Sequence, residues 1–203
     1  MTAAADSTLV LASGSATRAL LLQNAGVPVV IDPAAVDEAT AKESLRAAGA
    51  GAAAAATGLA ELKAQKVSAR RPGRLVLGAD QLLECGGAWF DKPADPAAAR
   101  RQLQALRGRR HRLYSAAVAV QDGVRLWHHV GEASLTMRSF GDAFLDEYLA
   151  GGGPELLASV GAYRLEGRGV QLFATIAGDH FTILGLPLLP LLDFLRDRRM
   201  LPA

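Results

Sequence analysis

The stretch Leu-Ala-Ser-Gly-Ser-Ala-Thr-Arg, residues 11 to 18, joins a strand pattern directly to a helical one. The apolar run Leu9–Leu11 leads into it, and apolar residues then recur at helical spacing as far as Ala25. Ser15 suits the N-cap of that helix, and Arg18 falls in its first turn. Backbone amides exposed at such a junction can hold an anion, which a nearby arginine also attracts. The stretch therefore predicts a phosphate site, with ordinary turn chemistry as the alternative.

Short apolar runs alternate with helical patterns along the rest of the chain. The predicted strands are residues 8–12, 27–31, 75–79, 113–120, 124–130 and 170–176. The predicted helices are residues 16–25, 52–70, 96–106, 142–149 and 187–198. The Ala/Gly-rich residues 47–56 are interpreted as a loose entry into a helix, and Gly-Gly-Gly-Pro at 151–154 as a hinge-like break. Strands and helices alternate early and a hairpin comes later, which indicates an α/β fold with a mixed sheet.

Composition limits the kind of protein this is. Half of the 203 residues are apolar and 21% are charged, which excludes general disorder and suits one domain or one two-lobed domain. A net charge of +2 gives no reason to expect a nucleic-acid partner. The basic residues between 107 and 112 are interpreted as a solvated turn leading into a strand, because no aromatic residues interleave with them.

Cysteine content and hydropathy predict the cellular setting. Cys85 is the only cysteine and lies in an apolar strand, so we expect a buried, unreactive thiol and no disulfide. The apolar residues 185–195 are too few to span a bilayer, and no secretory signal is visible at the start of the sequence. We therefore expect a soluble, cytoplasmic protein with no membrane partner.

Acidic residues after two predicted strands are the candidates for chemistry. Asp80 ends a hydrophobic strand, where open α/β sheets bind ligands, and its carboxylate could ligate a metal or take a proton from water. A capping or turn aspartate is the alternative. Glu38 follows the second strand and could be a second metal carboxylate, while Asp37 could share that role or cap the next segment. For each of these two, a solvated loop acid is an equally good interpretation from the residue alone.

The absence of other motifs argues against several enzyme classes. The four histidines, His111, His128, His129 and His180, lack the helical spacing of a zinc pair, and structural or surface roles are expected for them. The sequence has no Gly-x-x-x-x-Gly-Lys-Ser/Thr run of a P-loop kinase and no Gly-x-Ser-x-Gly elbow of a serine hydrolase.

Four further motifs complete an ordered set with the Ser-Gly-Ser stretch. They are Leu-Gly-Ala-Asp-Gln at 77–81, Asp-Lys-Pro at 91–93, Gly-Ala-Tyr-Arg-Leu-Glu-Gly at 161–167 and Gly-Leu-Pro at 185–187. In this order and spacing the chain resembles the Maf family of nucleoside triphosphate pyrophosphatases, from about Leu9 to the helix after Pro187. The resemblance implies a Maf/ITPase-like α/β fold, a mixed twisted sheet flanked by helices, with two lobes of a single domain (1–203) around a cleft. It also implies a nucleoside triphosphate substrate, and a homodimer is an expectation because family members often form one.

The resemblance assigns roles to individual residues. Asp80 matches the catalytic aspartate, and Glu38 matches an acidic residue that would hold a metal together with Asp80. Lys63 matches a Lys-Ala position on a helix and Lys92 matches the Lys-Pro motif, whereas Lys42 and Lys66 are left as surface groups. The group expected to hold the phosphates is Ser13, Arg18, Lys63 and Lys92. The implied cofactor is a divalent cation, Mg²⁺, Mn²⁺ or Co²⁺, all of which accept oxygen ligands.

Two positions bear on the base of the nucleotide. Gln81 and Glu166 stand where the pyrimidine-preferring branch usually has Thr and Gln, and the pair resembles the branch that acts on 7-methyl-GTP. A carboxylate can accept from the N1–H and N2–H₂ edge of guanine, and N7 methylation makes the base cationic. Thr17 stands where that branch has a Trp, and Ala158-Ser159 replaces an Asp-Lys of the first branch. The alternatives are a dTTP/UTP pyrophosphatase and a non-catalytic nucleotide-binding regulator of cell division.

Overall fold

The architecture comes from a computed structural model that describes residues 8–202. Within these residues one mixed sheet has the order β2-β1-β3-β5-β6-β7, and β4 also pairs with β3. The strands are β1 Leu9–Leu11, β2 Val29–Ile31, β3 Val76–Cys85, β4 Ala88–Phe90, β5 Arg110–Gln121, β6 Val124–Met137 and β7 Phe173–Ala177. β1 runs parallel to β2 and β3, and the other pairs are antiparallel. The predicted α/β fold with a mixed sheet is confirmed.

Helices flank the sheet. They are α1 Ala16–Asn24, α2 Glu38–Ala47, α3 Ala52–Ser68, α4 Pro96–Leu106, α5 Asp142–Gly152, α6 His180–Ile183 and α7 Leu188–Asp197. Short 3₁₀ turns occupy Pro154–Ala158, Val160–Ala162 and Arg168–Leu172. The sequence did not predict α2, because this helix has no buried residue and therefore no apolar stripe to detect. None of the described helices is long and apolar enough to cross a membrane.

The boundaries predicted for residues 151–154 and 170–176 are wrong. The hinge-like break was predicted to begin at Gly151, but α5 continues through Gly152 and the helix ends only there. Gly152 is needed for packing, since a Cβ there would lie 2.1 Å from Leu156, whereas one at Gly151 would meet only the movable end of the Arg168 side chain at 2.6 Å. The strand expected at 170–176 begins only at Phe173, after a 3₁₀ turn.

The third strand is longer than predicted, and its length shapes the molecule. β3 was expected to end at Ala79 but continues to Cys85, because it pairs with β5 from Val76 to Glu84. On its opposite edge, β1 pairs only as far as Leu77 and β4 begins only at Leu83. Residues 78–82 therefore have no strand partner on that edge. The sheet has a gap in the middle of β3.

One face of β3 is covered by the alanine-rich helix α3. Its small side chains, among them Ala55, Ala56, Ala60 and Ala64, are fully buried and let the helix approach closely. Gly78 is required at the contact, because a Cβ there would lie 2.0 Å from the Ala60 carbonyl oxygen. The helix expected from residue 52 is confirmed, but the loose entry expected at 47–56 is wrong from Ala52 on, because Ala52, Ala55 and Ala56 are buried.

Replacing that glycine tests the contact between α3 and β3. We expect Gly78→Ala to lower the free energy of unfolding by about 2 kcal/mol, because backbone on both sides must move apart. Urea unfolding followed by circular dichroism measures this. The control is Gly58→Ala in α3, where a Cβ meets only the flexible Leu45 side chain at 3.3 Å. A loss as small in Gly78→Ala as in the control would contradict the close packing.

The prediction for Cys85 is confirmed, whereas the prediction for the basic cluster is wrong in part. Cys85 is buried as expected, and burial raises the pKa of its thiol, which makes it a poor nucleophile. The interpretation of the basic cluster is wrong at one position. Arg110 and Arg112 are exposed, but His111 between them is 1% exposed, because alternate residues of β5 face opposite sides of the sheet. His111 thus belongs to the core.

Candidate active site

The gap along β3 opens into a cavity of about 740 Å³. All of the residues predicted for the site border it, although they come from six different parts of the chain. They are Ser13, Arg18, Glu38, Lys63, Asp80, Gln81, Lys92 and Glu166. Asp80 and Gln81 point to opposite faces of the strand, yet both reach the cavity because the sheet is interrupted beside them. The corrected length of β3 thus places Asp80 within a strand, not at its end.

Two carboxylates share one ammonium group at the α3 side of the cavity. Lys63 Nζ lies 2.6 Å from Asp80 Oδ1 and 2.8 Å from Glu38 Oε1. Lys63 and Asp80 are both nearly inaccessible, at 6% and 4% exposure, whereas the Glu38 side chain is half-exposed. Asp37 caps α2 by accepting a hydrogen bond from Thr40 N at 3.1 Å, which is the capping alternative raised from the sequence. The cap fixes Glu38 at the first turn of α2.

Several cations set the electrostatics of this side. Partial burial opposes ionisation of Glu38, but the hydrogen bond from Lys63 and the charges of Lys63, Lys42 and Lys92 outweigh it, so the Glu38 pKa is lowered. Desolvation by the cleft walls and repulsion from Arg18 lower the pKa of Lys92. Lys92 lacks an ion-pair partner among the described residues, which leaves its charge available to an anionic ligand.

Arg18 ties three segments together at the opposite side. Its Nε donates to the Gly185 carbonyl at 2.8 Å, and its Nη1 donates to Ser13 Oγ and to the Ala79 carbonyl, both at 3.0 Å. The guanidinium thereby covers part of the open edge of β3. Of the three guanidinium nitrogens, only Nη2 makes no hydrogen bond to residues 8–202. Ser15 caps α1 as predicted, accepting from Arg18 N at 3.4 Å.

Gln81 has its amide nitrogen already occupied. Nε2 donates to Ser115 Oγ at 3.0 Å, to the Ile183 carbonyl at 3.0 Å and to the Thr182 carbonyl at 3.2 Å. Two carbonyl acceptors fix which end of the amide is nitrogen. Gln81 therefore offers only its oxygen to a ligand, as an acceptor.

Glu166 is exposed and carries its own counter-ion. Arg164 Nε lies 3.0 Å from Glu166 Oε1, and the same guanidinium also pairs with Glu155 at 2.8 Å. Sequence reasoning missed Arg164, although it lies in the quoted 161–167 motif two residues before Glu166. It also missed Lys42, which was left on the surface but borders the cavity and pairs with Asp91. Lys42 follows Glu38 by four residues, so prediction of α2 would have placed both on one helix face.

The cavity offers two carboxylates, Asp80 and Glu38, to a divalent cation. Among the described residues there is no cluster of three or more His, Cys, Asp or Glu side chains. Asp80 and Glu38 supply two carboxylates around one point, which is the number that Mg²⁺ commonly takes from a protein when substrate phosphates and water complete its shell. The two residues fit a cation that arrives with a phosphorylated ligand.

Comparisons with known proteins now identify the class of protein that this fold and cavity define. A family model described as Maf-like protein matches residues 8–198. The chain therefore belongs to the Maf family, and the resemblance stated from the motifs is confirmed.

Curated relatives cover nearly the whole chain. A protein of Paramagnetospirillum magneticum named nucleoside triphosphate pyrophosphatase is 58% identical over 92% of this chain and 96% of its own. One of the same name from Granulibacter bethesdensis is 54% identical over 95% and 98%. A protein of Mesorhizobium japonicum named 7-methyl-GTP pyrophosphatase is 54% identical over 93% and 94%. A solved HAM1 protein from Coxiella burnetii has a TM-score of 0.40 at 14% identity, covering 64% of this chain and 72% of its own.

Proposed function

We propose that the protein hydrolyses a nucleoside triphosphate between the α and β phosphates, giving the nucleoside monophosphate and pyrophosphate. One observation carries this proposal. A buried carboxylate, Asp80, is held at 2.6 Å by Lys63 at the gap of the sheet, in a cavity that also exposes the cation Lys92. The names of the relatives from P. magneticum and M. japonicum support the same reaction.

The proposed reaction uses one general base and several cations. Asp80 accepts a proton from the attacking water while the water oxygen forms a bond to the α-phosphorus. The bond from that phosphorus to the bridging oxygen breaks, and pyrophosphate leaves with the additional negative charge. Lys92, Lys63 and the free Nη2 of Arg18 offset that charge, and Ser13 donates its hydroxyl to a phosphate oxygen. Arg18 acts mainly by holding Ser13 and the edge of β3, since two of its three nitrogens are already bonded.

A divalent cation would be held by Asp80 and Glu38. When bound, Mg²⁺, Mn²⁺ or Co²⁺ would neutralise phosphate charge and lower the pKa of coordinated water. Lys63 then keeps the two carboxylates close together against their mutual repulsion. Its ammonium group also balances their charge before any cation arrives.

The base contacts favour a purine with donors on its edge. Gln81 Oε1 and the Glu166 carboxylate are both acceptors, and guanine presents N1–H and N2–H₂. The negative charge of Glu166 additionally favours the cationic base of 7-methyl-GTP, although Arg164 reduces that advantage. We therefore propose 7-methyl-GTP or another modified nucleotide as substrate. A dTTP or UTP preference is the competing outcome, since a pyrimidine N3–H is also a donor.

Pyrophosphate release by the purified protein tests the function. The assay compares 7-methyl-GTP, GTP, dTTP, UTP and CTP after treatment with a chelator and addition of Mg²⁺, Mn²⁺ or Co²⁺. We expect release of pyrophosphate and monophosphate, fastest with 7-methyl-GTP, only when cation is restored. Release of single phosphates would contradict cleavage between α and β. Tight nucleotide binding without any release would contradict the enzyme and favour a non-catalytic regulator.

Glu166 is tested by removing its charge. We expect Glu166→Gln to lower kcat/KM for 7-methyl-GTP about tenfold, with a smaller loss for dTTP, because one charged contact to the base is lost. Glu155→Gln is the matched control, since Glu155 pairs with the same Arg164 but does not border the cavity. An equal effect of the two substitutions on the 7-methyl-GTP to dTTP ratio would refute the role of Glu166.

A further inference from the structure

The loop of residues 161–167, which carries Glu166, has an unusual backbone. Gly161 has φ +79° and Ala162 has φ +58°, so two consecutive residues lie in the left-handed region. This conformation is strained for a residue with a side chain, and it persists only where surrounding contacts impose it. Gly161 could not carry a Cβ, which would lie 2.6 Å from the Tyr163 ring and 2.7 Å from Leu83.

Two phenols fasten the loop to the core. Tyr148 Oη of α5 donates to the Ala162 carbonyl at 3.3 Å. Tyr163 is 5% exposed, packs edge-on against Phe173 with ring centroids 4.9 Å apart, and has its Oη 2.9 Å from His111 Nε2. The loop therefore depends on one polar contact with the sheet, made deep inside an apolar cluster.

His111 is suited to fix this contact in one geometry. It projects from β5 on the same face as Leu113, which borders the cavity. Burial lowers the pKa of His111 to about 4 and raises the pKa of Tyr163, so both groups are neutral near pH 7. A neutral imidazole can make the hydrogen bond in either tautomer. An apolar pair of similar size would fill the space without desolvating polar atoms, whereas a hydrogen-bonded pair fixes the orientation of the Tyr163 ring.

We propose that His111 is a positioning residue which, through the Tyr163 hydroxyl, holds the loop of residues 161–167 in the place where Glu166 meets the base. This inference rests on the proposed role of Glu166. His111 does not touch the group formed by Asp80, Lys63 and Glu38. Its removal should therefore weaken binding of the nucleotide and leave the chemical step unchanged.

Steady-state kinetics and hydrogen exchange test the proposal together. We expect His111→Leu and Tyr163→Phe each to raise KM for 7-methyl-GTP about fivefold to tenfold, with kcat within about twofold, because one buried hydrogen bond is lost. The double variant should be no worse than either single one. Amide exchange in residues 161–167 should accelerate in all three, and His111→Gln should partly restore KM.

The control is Met137→Ala, which opens a space in the same apolar cluster without touching the hydrogen bond. If this control matched the KM rise at equal loss of stability, or if kcat fell while KM stayed constant, the proposal would be overturned. Unchanged exchange in residues 161–167 would overturn it as well. Amide exchange is measured without substrate. A failure of Glu166→Gln to alter selectivity would therefore reject the base contact, while the exchange result would still decide whether His111 positions the loop.

Discussion

Asp80→Asn is expected to lower kcat for pyrophosphate release by about 10³-fold while the protein stays folded. The amide is nearly the same size as the carboxylate but cannot take a proton from water, which is the contribution general-base catalysis makes. Lys63 retains Glu38 at 2.8 Å as a counter-ion, so no isolated ammonium group is left buried. At saturating cation KM should change little, because Asp80 is assigned to the reacting water and the cation and not to the base.

The matched control for this variant is Glu84→Gln on the same strand. Glu84 lies four residues beyond Asp80, outside the lining of the cavity, and accepts a hydrogen bond from Gly87 N at 3.0 Å. It should keep full activity. Thermal unfolding of both variants separates loss of catalysis from loss of fold. Activity of Asp80→Asn within about tenfold of the unmodified protein would remove Asp80 from the role of general base.

The sequence allowed prediction of the elements whose burial leaves a pattern. The apolar strands and the amphipathic α4 were located because their buried side chains repeat at the period of a strand or a helix. The exposed helix α2 was missed for the opposite reason, since nothing on it is buried. The end of β3 was misplaced because Asp80 interrupts an apolar run at the point where the sheet opens.

The site divides in the same way. Motif order was enough to select residues that all border one cavity, but it could not show which atoms remain free for a ligand. Arg18 and Gln81 were predicted to contact the substrate directly. In the structure, however, Arg18 Nε and Nη1 and Gln81 Nε2 are bonded to carbonyls more than sixty residues away in sequence. The pairing of His111 with Tyr163 joins β5 to a loop 52 residues later, and no local pattern encodes it.

Lys63→Met is expected to affect both activity and stability. Without the ammonium group, Asp80 and Glu38 face each other in a partly desolvated site, and breaking a buried ion pair by removing one partner typically costs about 3 kcal/mol or more. We also expect kcat to fall about a hundredfold, because the carboxylates are no longer held in place and pyrophosphate loses a nearby cation. Urea unfolding and pyrophosphate release measure the two effects.

The pH dependence of this variant distinguishes electrostatics from packing. In the unmodified protein the pKa of Glu38 is lowered, so its ion pair stabilises the fold above the ordinary glutamate pKa and is lost as pH falls through the lowered value. In Lys63→Met, repulsion from Asp80 and burial should instead raise the pKa of Glu38, and protonation of Glu38 relieves that repulsion. The difference in unfolding free energy should therefore shrink from about pH 7 to about pH 4. A constant difference would indicate lost packing. Lys66→Met is the control, because Lys66 is exposed and lies about one turn beyond Lys63 in α3. This variant should show neither the loss of stability nor the pH dependence.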